Sequence, residues 1–176
     1  MSQKKSIQEI YQENKNRESP LKKPETWVWL HDIRSAHNVG AAFRTADAFG
    51  ISGILLSGFT PYPPKAEISK TALGAEESVK WQHFDDPNKI FEVFSSNFYS
   101  YLAIEQTHGS KSLIDYEAHP TKGRILLFGN EVHGVDEHLI TKMNDYIEIP
   151  QYGIKHSLNI SVALGVVLYG FLSKTI

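Results

Sequence analysis

The chain has 176 residues, 41% of them hydrophobic, and a formal net charge of −2, so it can bury the core of one domain and does not advertise nucleic-acid binding by charge alone. It contains no cysteine, which excludes disulfides and cysteine metal sites. No apolar run reaches 18 residues and no signal peptide opens the chain, so we expect a cytoplasmic protein without membrane association.

Positive charge is concentrated at the start of the chain. Residues 1–24 carry six basic and three acidic side chains, about +3, which leaves about −5 on the remainder. We therefore divide the chain into a basic N-terminal arm at 1–24, helical over 5–18, and a domain at 25–176. The arm either holds phosphates or is a solvated terminal helix, with Ile7, Ile10 and Tyr11 packed on the body and its lysines in solvent.

After the arm, strand-like and helical patterns alternate. The predicted strands lie at 26–30, 53–57, 79–84, 99–104, 124–128 and 146–149. The predicted helices lie at 38–49, 67–73, 87–96, 136–143 and 158–172, and the first of them ends at Gly50. This alternation predicts an α/β fold, a mostly parallel sheet with helices on both faces. The last helix is apolar nearly all round, which predicts a homodimer through the first and last helices.

Three polar, glycine-containing segments each follow or open one of these elements. They are Asn38–Arg44 with Gly40, Gly129–Gly134 with Asn130 and Glu131, and Ile149-Pro150 followed by Ser157-Leu158-Asn159. An α/β protein places its chemistry where parallel strands end, so we expect these segments to form one site. A carboxylate at a buried strand end needs a partner, and we expect Glu131 to pair with Arg44.

Each segment also has a purely structural interpretation. Asn38 and Ser157 are suitable N-caps, and Gly40 permits tight packing. Arg44 would then pair with Asp47, and Glu131 would be a charge near a helix N-terminus. Other sites are not indicated: the chain has no G-x-G-x-x-G after its first strand, no P-loop and no G-x-S-x-G. Its eight histidines show no metal-ligand spacing, so no metal is expected.

The three segments, in this order and spacing, resemble the motifs of the SpoU/TrmH family of RNA ribose 2′-O-methyltransferases, in the SPOUT superfamily. The resemblance covers about residues 26–174. It implies a C-terminal trefoil knot that binds S-adenosyl-L-methionine in a bent form, and a homodimer with the active site near the interface. Neither periodicity nor spacing indicates a knot.

The resemblance also implies residue roles. Arg44 would activate the ribose hydroxyl, and because guanidinium keeps its proton, stabilising a developing alkoxide suits it better than acting as a base. Asn38 and Glu131 would orient Arg44, and Ser157 and Asn159 would shape the ribose and methionine end. The cofactor would be held by the residues Ile104, Glu105, Gly129, Asn130, Glu131, Gly134, Ile149, Ser157 and Leu158.

The RNA substrate is expected to be tRNA rather than rRNA, recognised by the arm, the dimer surface and the loops at 58–70 and 107–123. Two alternatives remain open. One is an RNA-binding protein of the same fold without catalysis, and the other is a generic nucleotide-binding α/β domain, which leaves Arg44 and Ser157-Leu158-Asn159 unexplained.

Overall fold

A computed structural model describes residues 3–119 and 121–175. Residues 1 and 2 of the predicted arm, Pro120 in the loop at 107–123, and Ile176 at the end of the predicted domain lie outside the described residues. Within the described ranges, no helix combines the length and apolar character that crossing a bilayer requires.

Within these described residues, seven parallel strands form one sheet in the order β3-β2-β1-β6-β4-β7-β5. The strands are β1 Thr26–His31, β2 Gly53–Ser57, β3 Trp81–Phe84, β4 Tyr99–Ile104, β5 Lys111–Ser112, β6 Gly123–Phe128 and β7 Asp145–Glu148. The predicted α/β class and parallel sheet are confirmed. The two-residue strand β5 escaped prediction because it is too short to show a pattern.

Helices cover both faces of the sheet, as predicted. They are α1 Ile7–Lys15, α2 Ala36–Phe49, α3 Ala66–Ala72, α4 Ala75–Ser78, α5 Asn88–Val93, α6 Glu137–Ile140 and α7 Ile160–Ser173, with a 3₁₀ turn at Pro20–Lys22. Successive side chains of β1 point to opposite faces. Val28 and Leu30 join the core under α2 and α7, whereas Trp29 joins the core under α5 and α6.

Helix caps differ from the sequence-based interpretation at two places. The hydroxyl of Ser35 caps α2 by accepting the Asn38 amide, so Asn38 is not the N-cap. At α7 the cap is Asn159, whose side-chain oxygen accepts the Ser161 amide, so Ser157 is not the cap either. Each predicted cap is the first polar residue of a motif, whereas α2 begins two residues before Asn38 and α7 begins three residues after Ser157.

The arm has two parts with different burial. No residue of α1 is buried, and Ile7, Ile10 and Tyr11 are exposed, so the alternative interpretation in which they pack on the body is wrong for the single chain. Leu21, by contrast, is fully buried, and the Ser19 hydroxyl donates to the Phe49 carbonyl oxygen. Residues 19–21 of the predicted arm therefore pack on the domain that follows.

The last helix, α7, packs against residues 111–116, a segment that contains β5. The Lys174 ammonium donates to the carbonyl oxygens of Leu113 at 2.8 Å and Tyr116 at 2.5 Å. A Cβ added at Gly170 would lie 2.9 Å from Leu113 Cδ2, so α7 and this segment pack closely. The trefoil knot itself stays a prediction.

Candidate active site

The site lies at the carboxyl edge of the sheet, where the loops after β1, β2 and β6 meet. Asp32 directly follows β1 and has a φ of +54°, a left-handed conformation that aspartate tolerates. Its Oδ1 accepts the Phe59 amide at 3.0 Å, and its carbonyl oxygen accepts Asn130 Nδ2 at 2.7 Å. One residue thus ties three loops together, and the sequence analysis did not single it out.

Glu131 lies at the centre of the site and accepts three hydrogen bonds. Its carboxylate receives the backbone amides of Arg34 at 2.9 Å and Ser35 at 3.2 Å, and Asn38 Nδ2 at 3.1 Å. Partial burial alone would raise the pKa of the Glu131 carboxyl, but these hydrogen bonds outweigh it and the net pKa is lowered. The carboxylate is therefore held ionised against the start of α2.

Asn38 joins Glu131 to the last motif. Its amide nitrogen donates to Glu131, and its Oδ1 accepts Asn159 Nδ2 at 3.2 Å. Asn159 Oδ1 in turn accepts the amide and the hydroxyl of Ser161 at 2.9 and 2.6 Å. One chain of hydrogen bonds therefore runs from the second motif through the first to the third, which brings the three predicted segments together.

Arg44 does not join this cluster within one chain, so its predicted pairing with Glu131 is wrong here, as is its orientation by Asn38 and Glu131. Six residues beyond Asn38 on α2, it faces a different side of the helix. Its alternative partner Asp47 accepts the Ser78 hydroxyl instead. Among the described residues, no ion pair involves Arg44, which is exposed and lines a cleft with Ser161 and Val162.

The glycines of the second motif close a tight loop after β6. The backbones of Asn130 and Gly134 exchange two hydrogen bonds of 2.9 Å, and Gly134 has a φ of +71°. A Cβ at Gly129 would lie 2.3 Å from the Gly134 carbonyl oxygen. Asn130 is 9% exposed, and its Oδ1 accepts the amides of Val132 and His133, so its side chain shapes the loop.

The predicted cofactor residues lie on three connected segments. Glu105 follows β4, and its Oε2 accepts the Val135 amide at 3.0 Å, which joins β4 to the glycine loop. Gln106, which the sequence analysis missed, donates to the His156 carbonyl oxygen at 2.9 Å and so joins β4 to the third motif. Ile104 and Ile149 are half-buried against the core.

Ser157 and Leu158 lie in the irregular, exposed segment between β7 and α7. Within residues 3–119 and 121–175, the Ser157 hydroxyl has no hydrogen-bond partner in the protein. The two side chains are therefore available at the edge of the site.

A histidine and two carboxylates form a group that spacing did not reveal. His31, Asp32 and Asp136 place ligand atoms within 4.8 Å of one another. His31 is buried, its Nδ1 lies 2.7 Å from Ser57 Oγ, and its Nε2 lies 3.2 Å from Asp136 Oδ2. These hydrogen bonds explain the group without a metal ion.

Comparison with known proteins identifies the family. Residues 25–169 match the SpoU rRNA Methylase family. The chain is 32% identical over 145 residues to a tRNA (guanosine(18)-2'-O)-methyltransferase of Aquifex aeolicus, covering 81% of this chain and 66% of that protein. It is 29% identical to the 23S rRNA (guanosine-2'-O-)-methyltransferase RlmB of Vibrio vulnificus, covering 80% and 56%.

Solved structures agree with this assignment. An AdoMet-bound rRNA methyltransferase of Sinorhizobium meliloti superposes with a TM-score of 0.80 at 26% identity, covering 97% of this chain and 71% of that one. The SpoU methyltransferase AviRb of Streptomyces viridochromogenes, with AdoMet, shares the fold at a TM-score of 0.79 and 22% identity. The chain spans only about two thirds of the Aquifex relative and just over half of the Vibrio one. With its parallel sheet and its three joined motifs, the chain belongs to the SpoU methylase family.

Proposed function

We propose that the protein transfers a methyl group from S-adenosyl-L-methionine to a ribose 2′-hydroxyl of structured RNA, with tRNA favoured over rRNA. The observation that carries this proposal is the hydrogen-bonded chain Glu131–Asn38–Asn159, which unites the three motifs of the family at one edge of the sheet. One relative named above is a tRNA methyltransferase and the other a 23S rRNA methyltransferase, so the transfer assay below is run on both kinds of RNA to decide between them.

The residues present fit the proposed methyl donor. A Cβ at Gly129 would overlap the Gly134 backbone and a Cβ at Gly134 would overlap the Glu105 carboxylate, so only glycine at both positions lets this loop close as tightly as it does beside the end of β4. Ile104, Ile149 and Leu158 offer an apolar wall for a flat ring. S-adenosyl-L-methionine would supply an activated methyl group and would be left as S-adenosyl-L-homocysteine, and the proton of the ribose hydroxyl would pass to solvent water.

In this proposal the protein positions the acceptor and manages charge. Arg44 stabilises the developing alkoxide, and its guanidinium needs no proton transfer to do so. Glu131 and Asn38 hold the loop before α2 in place, since the Glu131 carboxylate accepts the backbone amides of Arg34 and Ser35 in that loop. Ser157 and Asn159 shape the ribose and methionine end, Ser157 with a hydroxyl that the described structure leaves uncommitted.

The separation of Arg44 from Glu131 supports the homodimer of this proposal. Val162, Val166 and Tyr169 form an exposed stripe on α7, with 52%, 39% and 64% of their surfaces accessible. An exposed apolar stripe beside the cleft that contains Arg44 fits a dimer interface. At such an interface, Arg44 of one copy would reach the hydrogen-bonded residues Glu131, Asn38 and Asn159 of the other. Val166→Glu should yield a monomer by analytical ultracentrifugation, and a wild-type monomer at micromolar concentration would contradict the dimer.

Two further features belong to the same proposal. The close packing of residues 111–116 against α7 supports the C-terminal trefoil knot of the family. The arm is exposed from residue 3 to residue 18, and the excess of basic side chains over residues 1–24 supports it as an RNA contact, with the methyltransferase domain following it. A cytoplasmic location is part of the proposal as well.

The test is transfer of labelled methyl from S-adenosyl-L-methionine to unmodified RNA, followed by mass spectrometry of the nucleosides. A 2′-O-methylated nucleoside that appears with the protein and is missing from cells that lack it supports the proposal. The second candidate, an RNA-binding protein without catalysis, is favoured by the distance of Arg44 from the cluster in a single chain. A calorimetric titration that shows no binding of S-adenosyl-L-methionine would select it.

A further inference from the structure

A cleft of about 400 Å³ between α2, α3 and α7 contains Arg44 but none of the other residues predicted for the site. Two cationic side chains line it, Arg44 from α2 and Lys70 from α3, and the other lining residues are apolar or carry hydroxyls. No carboxylate is among these lining residues. Arg44 belongs to the first motif, whereas nothing in the motifs points to Lys70.

Gly40 explains why the two cations share one cleft. A Cβ at Gly40 would lie 2.3 Å from the Ile68 carbonyl oxygen and 2.1 Å from Thr71 Oγ1, so only glycine lets α3 come this close to α2. The Thr71 hydroxyl then donates to the His37 carbonyl oxygen at 2.9 Å and fixes the contact. Lys70 adjoins Thr71, and Arg44 follows Gly40 by one helical turn, so this contact sets their proximity.

The donors of the cleft that remain free are its two cations. The hydroxyls of Thr45, Thr71 and Ser161 already donate to protein oxygens. In the part of the chain that the structure describes, the side chains of Arg44 and Lys70 form no hydrogen bond or ion pair with the protein. Two like charges in one cleft repel each other, and a bound anion removes that repulsion.

We propose that Lys70 is a substrate-binding residue that holds a phosphodiester of the RNA beside the target ribose, with Arg44 facing the same group. This inference rests on the proposed function and adds a residue and a ligand to it. An ammonium on a flexible stem contacts a phosphate as a point charge, whereas the planar guanidinium can approach with two parallel N–H groups. The cleft also borders the exposed stripe of α7, since Val162 lines it, so bound RNA would run along the proposed interface.

The experiment compares Lys70→Gln with Lys80→Gln, a matched change of an exposed lysine outside the cleft. Binding of a fluorescein-labelled, unmodified tRNA transcript is measured by anisotropy between 50 and 200 mM salt. Loss of one phosphate contact should lower the slope of log affinity against log salt by about 0.7–0.9. The affinity of the variant should therefore fall about threefold less than that of the wild type between the two salt concentrations. Lys80→Gln should keep the wild-type slope, and thermal melting checks that both variants fold.

Steady-state kinetics give a second readout. Lys70→Gln should raise KM for the transcript on the order of tenfold, as expected for a lost hydrogen bond to a charged group, and change kcat by less. Lys70→Arg should restore most of the affinity because it restores the charge. An unchanged salt slope together with an unchanged KM in Lys70→Gln would overturn the assignment.

The outcomes separate this inference from the proposed function. If the wild-type protein transfers no methyl group but binds the transcript with a Lys70-dependent slope, the reaction is refuted and the phosphate site stands. If it binds neither this transcript nor an rRNA fragment, both are refuted. Inorganic phosphate titrated calorimetrically at constant ionic strength should show no Lys70-dependent saturation, and saturable binding would assign the cleft to free phosphate instead.

Discussion

Replacing Gly40 by alanine tests the helix contact on which the cleft depends. The new Cβ would meet two atoms of α3, Thr71 Oγ1 at 2.1 Å and the Ile68 carbonyl oxygen at 2.3 Å. The hydroxyl can rotate away, but the backbone carbonyl cannot, so α3 must move. We expect the movement to break the hydrogen bond from Thr71 to the His37 carbonyl oxygen.

The magnitude follows from three opposing effects. Overpacking of this kind costs about 1–3 kcal/mol, and the lost hydrogen bond costs about 1 kcal/mol. Alanine in a helix interior returns about 1 kcal/mol relative to glycine. The free energy of unfolding should therefore fall by about 2 kcal/mol, which for a chain of this size lowers Tm by roughly 4–8 °C.

Urea denaturation at one fixed protein concentration measures the effect, because a dimer would make stability depend on concentration. Gly165→Ala is the control: Gly165 lies inside α7, a helix of the same 14-residue length as α2, and apart from the backbone of its own helix a Cβ there meets no atom within 4 Å. Because Gly165 lies between Val162 and Tyr169 on the proposed interface, both variants are compared in the Val166→Glu background, which should be monomeric. Gly165→Ala should stabilise the chain by about 1 kcal/mol. Adding Thr71→Ala to Gly40→Ala should recover only part of the loss, since the carbonyl contact remains. A Gly40→Ala protein as stable as Gly165→Ala would refute the close contact.

Three further predictions concern the site and the arm. Arg44→Ala should lower methyl transfer by a factor on the order of 10²–10³ while calorimetry shows unchanged affinity for S-adenosyl-L-methionine, and wild-type turnover would contradict its role. Deleting residues 1–17, which spares the buried Leu21, should lower the salt slope of RNA binding by about two units with little change in Tm; a constant slope would mean that the arm does not contact RNA. The pKa of Glu131 is lowered in the folded chain from its ordinary value of 4.5. Its ionised form therefore stabilises the folded chain at a pH above 4.5, and that stabilisation is lost as the pH falls through the lowered pKa. The stability gap between wild type and Glu131→Gln should therefore shrink in urea titrations below pH 4.5, and a gap that stays constant with pH would exclude this linkage.

Elements with a strong local pattern could be predicted from the sequence. The strand predicted at 99–104 has the observed bounds, and Gly50 ends α2 as predicted, with a φ of +57°. Both depend on local chemistry, an apolar run with β-branched and aromatic residues in one case and the conformational freedom of glycine in the other. The order of the three motifs was readable for the same reason.

Contacts between distant segments were not readable in this way. The expected partner of Glu131 was Arg44, because opposite charges at one strand edge suggest a pair, but the carboxylate is satisfied by backbone amides, which carry no sequence signal. Gln106 was missed since its partner is the His156 carbonyl oxygen. Lys70 was missed because its place beside Arg44 depends on how closely two helices approach at Gly40.

The hydrogen-bonded chain through the motifs has a direction. A carboxylate only accepts, so Glu131 obliges Asn38 to present its NH₂ group there and its oxygen to Asn159, which must then turn its own oxygen toward Ser161 and the start of α7. A single ionised group thus sets the polarity of two amides and, through them, the cap of a helix 14 residues long. Protonating Glu131 would allow the side-chain amides of Asn38 and Asn159 to flip. The Ser161 amide, in the first turn of α7, would then lose its acceptor. The charge of Glu131, after β6, thus fixes the cap of α7 on the other side of the site. We therefore expect Asn38 and Asn159 to be intolerant of substitution even where neither touches a substrate.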